Sequence, residues 1–560
     1  MTQQHPDLAD EQAYIDHAYE CLDSTRKAAW RLRDLSEADM GGTFQARFER
    51  NAFDEALVKR LTNLDLGDAA LVFGRIDRSG EAPNEIESFH IGRLAVADDD
   101  REPVVVDWRA PVAEPFYRAT GRDAMGLVRR RHFAVEGRTL LGVEDELFGA
   151  GHLGLGHDEG LDGTDDVGQS GGLRGYSTLL AALDRGRTGT LGDIVATIQG
   201  EQDEIIRSPQ SGVLVVQGGP GTGKTVVALH RAAYLLYTHR FPLEDQGVLV
   251  IGPNRVFLRY IARVLPSLGE AGIEQVVLAD LIPGVEFLRP SDDVPGSALA
   301  DTATAARLKG DVRMSEVIEQ AIRGRERPLK NDIELPFRAG YVRMSADESA
   351  RIVKAARRRF RRHNAGRRFV ESELWATFAS SFRDPEIGSG LVKDALRGTP
   401  EIREALERMW PVLTPAQLLH DLFGSKALLK LATRGVFDES AAFALFRPRS
   451  ESVDGVRWTG GEVALLEDAR EGLGPKLGRD GKIDERDEIR TYGQIVIDEV
   501  QDLTPMQLRM ATRRSLSGAM TIVGDLAQAT GPLAPTDWPA VLDHLPDRRP
   551  ARIIGLSVGY

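Results

Sequence analysis

The chain has 560 residues, with 71 Lys and Arg against 85 Asp and Glu, a formal charge of −14, 42% apolar residues and one cysteine, Cys21. A disulfide framework and a thiolate zinc cluster are excluded, and the acidic balance argues against a protein that holds nucleic acid by bulk charge. Met1-Thr2-Gln3-Gln4-His5-Pro6-Asp7 lacks the basic and apolar regions of a signal peptide. No apolar run reaches the roughly 18 residues a bilayer span needs, so a soluble cytoplasmic protein of about three to five domains is expected.

The first predicted element covers residues 8–38. Leu8, Ile15, Leu22 and Ala29 recur every seven positions, with Ala18, Thr25 and Leu32 between them. Met40-Gly41-Gly42-Thr43 breaks the pattern, and Phe53, Leu57, Leu61 and Leu64 start a second one. The pair reads as an antiparallel helical hairpin, either a projecting arm or two helices packed on the body. At 1.5 Å per residue the first helix would be about 46 Å long. Residues 1–66 hold 13 acidic and 8 basic side chains, so charge does not make the hairpin a nucleic-acid probe.

From residue 70 to 148 the period changes to short β-like runs split by Gly, Pro and Asp, such as Leu71-Val72-Phe73, Phe89-His90-Ile91 and Val104-Val105-Val106. Arg129, Arg130 and Arg131 could form a contact patch or a solvated strand end. Residues 149–175 hold ten glycines and several Asp, the composition of a flexible linker.

Val213-Leu214-Val215-Val216 leads into Gly218-Gly219-Pro220-Gly221-Thr222-Gly223-Lys224-Thr225, and an apolar helical pattern follows. Strand, glycine loop and helix form the context of a Walker A loop. Its backbone N–H groups would turn around phosphate oxygens at a helix N-terminus, Lys224 would reach the β- and γ-phosphates, and the Thr225 hydroxyl would ligate Mg²⁺. The cofactors expected are therefore ATP and Mg²⁺. Downstream, Ile495-Val496-Ile497-Asp498-Glu499 is a Walker B pattern. Asp498 would hold Mg²⁺, and Glu499 would orient and deprotonate the attacking water. More than 200 residues, mostly helical by pattern, separate Asn254 from Asp498. They include nine Lys and Arg within 351–368 and no acid there, readable as a phosphate contact, a contact with an acidic protein surface, or a solvated helix face. Residues 449–461 and 471–490 are rich in Gly, Asp and Glu.

These motifs resemble a family. Asp498-Glu499-Val500-Gln501-Asp502 is similar to motif II of superfamily 1 helicases of the UvrD/Rep type, and Gly524-Asp525-Leu526-Ala527-Gln528 to their motif III, whose Gln senses the γ-phosphate. Gln202, 22 residues before Lys224, resembles their adenine-reading Gln. The hairpin, Asp107-Trp108-Arg109-Ala110-Pro111, Pro115-Phe116-Tyr117, Arg129-Arg130-Arg131-His132 and Gly252-Pro253-Asn254 together resemble HelD, over essentially the whole chain. HelD-type proteins are bacterial ATPases that bind RNA polymerase and recycle it from stalled or terminated complexes. The resemblance implies an arm for the polymerase secondary channel and an acidic loop, at 449–461 or 471–490, for the primary one. It also implies a core RNA polymerase partner, only weak or indirect contact with DNA, and a monomer.

Two departures from the family pattern matter. Gly252-Pro253-Asn254-Arg255 and Val277-Leu278-Ala279-Asp280 stand where DNA-translocating relatives carry residues that touch single-stranded DNA. Leu556-Ser557-Val558-Gly559-Tyr560 aligns with the start of motif IV. A chain truncated before its second RecA-like domain, and weakly active alone for want of that domain's arginines, is the expectation. The fold class expected is α/β, a P-loop RecA-like parallel sheet with a large helical insertion, an N-terminal antiparallel helical hairpin and a small β-rich module. The boundaries expected are 1–68 for the hairpin, 69–148 for the β-rich module and 149–190 for the linker. The RecA-like domain follows at 191–270 and 491–560, with the insertion at 271–490. Two other readings are a 3′–5′ DNA helicase and a polymerase-binding module that holds nucleotide without turnover.

Overall fold

The computed structural model describes residues 5–38, 69–149 and 152–153 (81, 83, 84 and 121 excepted), 198–261, 273–288, 301–476 and 488–557 (532 excepted), with several positions of 53–66. Nearly all of the expected linker, the break at Met40-Gly41-Gly42-Thr43, the acidic stretch at 477–487 and Val558-Gly559-Tyr560 lie outside the described residues. Among the described residues, no helix is long and apolar enough to cross a membrane.

The first helix spans Leu8–Ala38. Ile15, Ala18, Tyr19 and Leu22 are buried against Leu71, Val72, Val96, Val104, Phe133 and Leu140 of the β-rich module. The amino-terminal half of the helix is thus part of the body. Its outer half runs beside the returning segment, with Arg33 Nε 3.1 Å from Asp54 Oδ1 and Arg26 Nε 3.0 Å from the Leu64 carbonyl. That pairing is antiparallel, since the later helix position meets the earlier return position. Trp30 and Leu32 on this outer half are 51% and 44% exposed.

A buried ionic cage locks the base of the helix. Arg131 is 1% exposed and donates to Glu11 of the helix, to Asp7 just before it and to Asp145 of the sheet, each at 2.6 Å. His90 Nε2 lies 2.8 Å from Glu11 Oε2. Burial works to raise the Glu11 carboxyl, but His90, Arg131 and Arg75 outweigh it and bring the group down to about 2. Arg130 pairs with Glu146 at 2.5 Å, and Arg129 with Asp77 at 2.6 Å. The Arg129–Arg131 run is therefore neither a contact patch nor a solvated strand end. Alternation along an extended strand sends Arg131 toward the helix, where its charge needs a carboxylate partner.

The β-rich module is a seven-stranded sheet in the order β3-β4-β2-β1-β5-β6-β7. Its strands are β1 Val72–Ser79, β2 Ile86–Gly92, β3 Val96–Ala97, β4 Pro103–Asp107, β5 Leu127–Glu136, β6 Thr139–Gly149 and β7 His152–Leu153.

The second sheet has six parallel strands in the order β10-β9-β13-β14-β8-β15. These are β8 Val213–Gly218, β9 Val248–Ile251, β10 Ile273–Val276, β13 Gln494–Ile497, β14 Met520–Gly524 and β15 Arg552–Leu556. Both faces are covered, as near-continuous apolar strands require. Val213, Val215, Leu249, Ile251, Ile495 and Ile497 point into one core, shared with the helices of the insertion. Their neighbours Leu214, Val216, Val248, Val250 and Val496 point into a second core, shared with the helix Lys224–Thr238 and the β-rich module.

The insertion departs from the sequence expectation in two ways. Its first and last helices, Ala303–Gly310 and Met314–Arg323, then Pro415–Phe423 and Val463–Leu473, are continuous with the sheet's core through Val317, Ile318, Leu418, Leu465 and Leu466. Only residues 329–410 build a core of their own, around Val342, Leu374, Phe378 and Trp410. That lobe also contains an antiparallel hairpin, β11 Ile333–Phe337 with β12 Gly340–Met344. Its turn, Arg338-Ala339, puts Arg338 at φ 50°, without the Asn-Gly or Asp-Gly that signals such a turn.

Candidate functional site

The loop from Gly218 to Lys224 joins the carboxyl end of β8 to the helix Lys224–Thr238. Gly221 and Gly223 take φ values of +75° and +77°, which a side chain would strain. At Gly218 a Cβ would come within 2.7 Å of Thr222 Oγ1. Thr222 closes the turn by donating to the Gly219 carbonyl at 2.9 Å. Lys224 Nζ donates to the carbonyls of Gly218 and Gly219 at 2.8 and 2.9 Å, so the ammonium sits inside the loop.

The strand carrying Asp498 is not the neighbour of β8, because β14 lies between them. The helix Lys224–Thr238 nevertheless brings Thr225 across, and Thr225 Oγ1 donates to Asp498 Oδ2 at 2.7 Å. Asp498 Oδ1 accepts from the Glu499 N–H at 3.0 Å. Burial raises the Asp498 carboxyl to about 6; the Thr225 hydrogen bond opposes this and the charge of Glu499 adds to it. A hydroxyl and a buried carboxylate in contact are a donor set that suits Mg²⁺, whose charge would favour the ionised carboxylate. Thr225 and Asp498 would hold the cation, and the loop N–H groups with Lys224 would hold phosphate oxygens.

Glu499 adopts φ 50° and ψ 47°, a left-handed conformation that a non-glycine residue holds only under constraint. The constraint is visible. Gln501 Nε2 donates to Glu499 Oε2 at 2.7 Å, and Gln501 Oε1 accepts from the Asp525 N–H at 3.1 Å. Gln501 is 3% exposed and ties the ends of β13 and β14 together. Sequence reasoning quoted Gln501 within a motif and gave it no role. Its position two residues after Glu499, on the short turn leaving a buried strand, was the available signal.

Gln528 is exposed and donates to Asp525 Oδ2 at 2.6 Å, on the turn leaving β14. Gln202 is buried in the first turn of the helix Gly200–Arg207, its Oε1 accepting from the Gln199 N–H at 3.1 Å. Its side-chain carbonyl oxygen therefore serves a helix cap. Beside Gly218 opens a cleft of about 630 Å³, lined by Gln217, Asp525, Trp538 and Leu556 among others.

Trp108 is fully buried, with its ring centroid 5.7 Å from His230 of the helix Lys224–Thr238 and 6.4 Å from Tyr117. Asp107 and Arg109 are 3% and 4% exposed and pair with each other at 2.6 Å, and Arg207 Nη2 donates to the Trp108 carbonyl at 2.8 Å. Asp107, Trp108 and Arg109 thus staple the β-rich module to the helices Lys224–Thr238 and Gly200–Arg207. Trp458 likewise is 2% exposed, and its carbonyl accepts from the Leu288 N–H at 2.8 Å, so the 449–461 stretch is anchored to the body. At the carboxyl ends of β9 and β10, Arg255 and Asp280 form an ion pair, and Asn254 Oδ1 caps the next helix by accepting from the Phe257 N–H at 2.9 Å. The two segments that depart from the DNA-contacting pattern thereby bind each other.

Fold and loop together define a parallel α/β domain with a glycine-rich strand-to-helix turn, to which a helix-bearing β module is fastened. Residues 8–162 match the family model described as the N-terminal domain of the DNA helicase IV HelD. The chain is HelD-like and helicase-related over that part, which covers the first helix and the seven-stranded sheet. No curated protein matches the chain.

Proposed function

We propose that the chain is an ATP-binding motor protein of the HelD type, which binds core RNA polymerase and promotes its release and recycling from nucleic acid. ATP binding and hydrolysis drive the cycle. The observation that carries this reading is the staple: the helix that begins at Lys224 is the one against which Trp108 packs, at 5.7 Å from His230. Rearrangement of the loop around a nucleotide would pass through that helix to the HelD-like module, and from the module through the Arg131 cage to the arm.

The chain's own residues divide the work. Lys224 and the loop N–H groups bind and orient the phosphates; Thr225 and Asp498 hold Mg²⁺, which neutralises charge developing on the phosphoryl oxygens. Glu499 orients the attacking water and takes its proton. Gln528 reports the γ-phosphate, and Gln202 reads adenine. The protein acts as a monomer in the cytoplasm.

The rival reading is a 3′–5′ DNA helicase, since the matching family is described as a DNA helicase. Against it stands the Arg255–Asp280 pair, which occupies both groups at the strand ends where a DNA-tracking surface would lie. Steady-state phosphate release separates the two. Core polymerase is expected to raise the rate, and a single-stranded oligonucleotide to leave it within about twofold of the basal value. Strong stimulation by the oligonucleotide with none by polymerase would favour the helicase.

A further inference from the structure

The basic run at 351–368 takes no part in the nucleotide site. It lies on the 329–410 lobe, along the helix Ala346–Arg359, the following turn, and the start of the helix Arg367–Ser381. Four of its nine cations have carboxylate partners: Arg357 with Glu326 at 2.7 Å, Arg362 with Glu471 at 3.1 Å, Arg367 with Glu407 at 3.2 Å, and Arg351 with Glu348 at 3.8 Å. The other five, Lys354, Arg358, Arg359, Arg361 and Arg368, have no carboxylate partner among the described residues, and all five are exposed.

The five are also gathered. Of the five, Lys354 and Arg358 recur at i and i+4, with Arg351, paired to Glu348, one turn earlier on the same face of the helix, whose opposite face buries Ile352, Val353 and Ala356. That line is about 10 Å long at 1.5 Å per residue. At its end Arg359 lies over the rings of both Phe360 and Phe369, at 5.7 and 5.3 Å, which fixes the corner between the two helices. Arg358 lies in the last turn of the first helix, Arg361 on the connecting turn and Arg368 in the first turn of the second.

We propose that this corner binds the phosphate backbone of a nucleic acid, independently of sequence and of the ATP site. A polyanion with a charge about every 3.4 Å along each strand suits a row of exposed cations, four of the five unpaired ones guanidinium groups, whose forks take two phosphate oxygens at once. The rest of the chain sharpens the case. The formal charge is −14, so bulk charge gives a polyanion no hold and its binding would depend on a local patch such as this one. The reading goes beyond the motor function, since no residue of the patch touches the phosphate loop.

The test is fluorescence anisotropy of a labelled single strand of about 20 nucleotides with the full-length chain, between 50 and 200 mM salt. The triple variant Arg358→Gln, Arg361→Gln and Arg368→Gln alters only exposed side chains. It is expected to bind at least tenfold more weakly and to lower the salt slope by about 2, the counterions that three contacts to a single strand release. The variant Arg357→Gln, Arg362→Gln removes two cations already paired and should change the slope by less than about half a unit. Equal affinity and slope in the triple variant would overturn the proposal. So would unchanged oligonucleotide binding with loss of binding to polyglutamate, which would assign the corner to an acidic protein surface.

Discussion

Replacing Lys224 by Ala is expected to abolish nucleotide binding, with a loss of at least a hundredfold in Kd. Lys224 is 9% exposed, and its ammonium is enclosed by the loop's own carbonyls at 2.8 and 2.9 Å. In the nucleotide complex it exchanges those carbonyls for phosphate oxygens, as a charge-assisted pair inside a sheltered turn. Removing one partner of such a pair costs about 3 kcal/mol or more, and about 1.4 kcal/mol is one decade in affinity. Calorimetric titration of ATP·Mg²⁺ into the two proteins reads the difference directly. Unchanged affinity in the variant would remove the loop from the site.

The second large effect is expected from Glu499→Gln. It should leave ATP binding nearly intact and lower turnover by about 10²–10⁴-fold, the usual contribution of a positioned general base. The structure makes this specific to Glu499. Its left-handed backbone and the 2.7 Å hydrogen bond from Gln501 hold one carboxylate oxygen in place, while Asp498 is engaged by Thr225. The amide keeps the shape and loses the basicity. Single-turnover phosphate release at saturating ATP measures the step, and a rate within about threefold of the parent would transfer the base to another group.

The parts of the fold legible in the sequence are those whose signal is local. Val213–Val216, the glycine loop and Ile495–Ile497 mark buried parallel strands and a tight turn within a few residues, and the helix at 8–38 is marked by its sevenfold apolar repeat. The Thr225–Asp498 contact joins positions 273 apart, and sequence motif alone could pair them because each motif is rare. What stayed hidden depends on which side of a strand or turn faces another module. Asp107, Arg109 and Arg131 carry charged side chains that suggest a surface, yet each is buried with a charged partner. Burial of a charge is decided by the residue opposite, and Glu11 lies 120 positions from Arg131. The β11–β12 hairpin was obscured for a different reason, since its turn is set by Arg338 rather than by a glycine. In the basic run, composition showed the charge but could not show that Arg357, Arg362 and Arg367 are neutralised while Arg358, Arg361 and Arg368 are not.

The central claim is that the HelD-like arm and module recognise core RNA polymerase. The direct measurement is pull-down of purified core polymerase by the immobilised full-length chain, without nucleic acid, beside the variant Trp30→Ala, Leu32→Ala. Both residues are exposed on the outer half of the first helix, away from its packed base, so the variant should fold as the parent does. Retention of polymerase by the parent, and its loss by at least tenfold in the variant, is the predicted result. Failure of the parent to retain core polymerase would contradict the account.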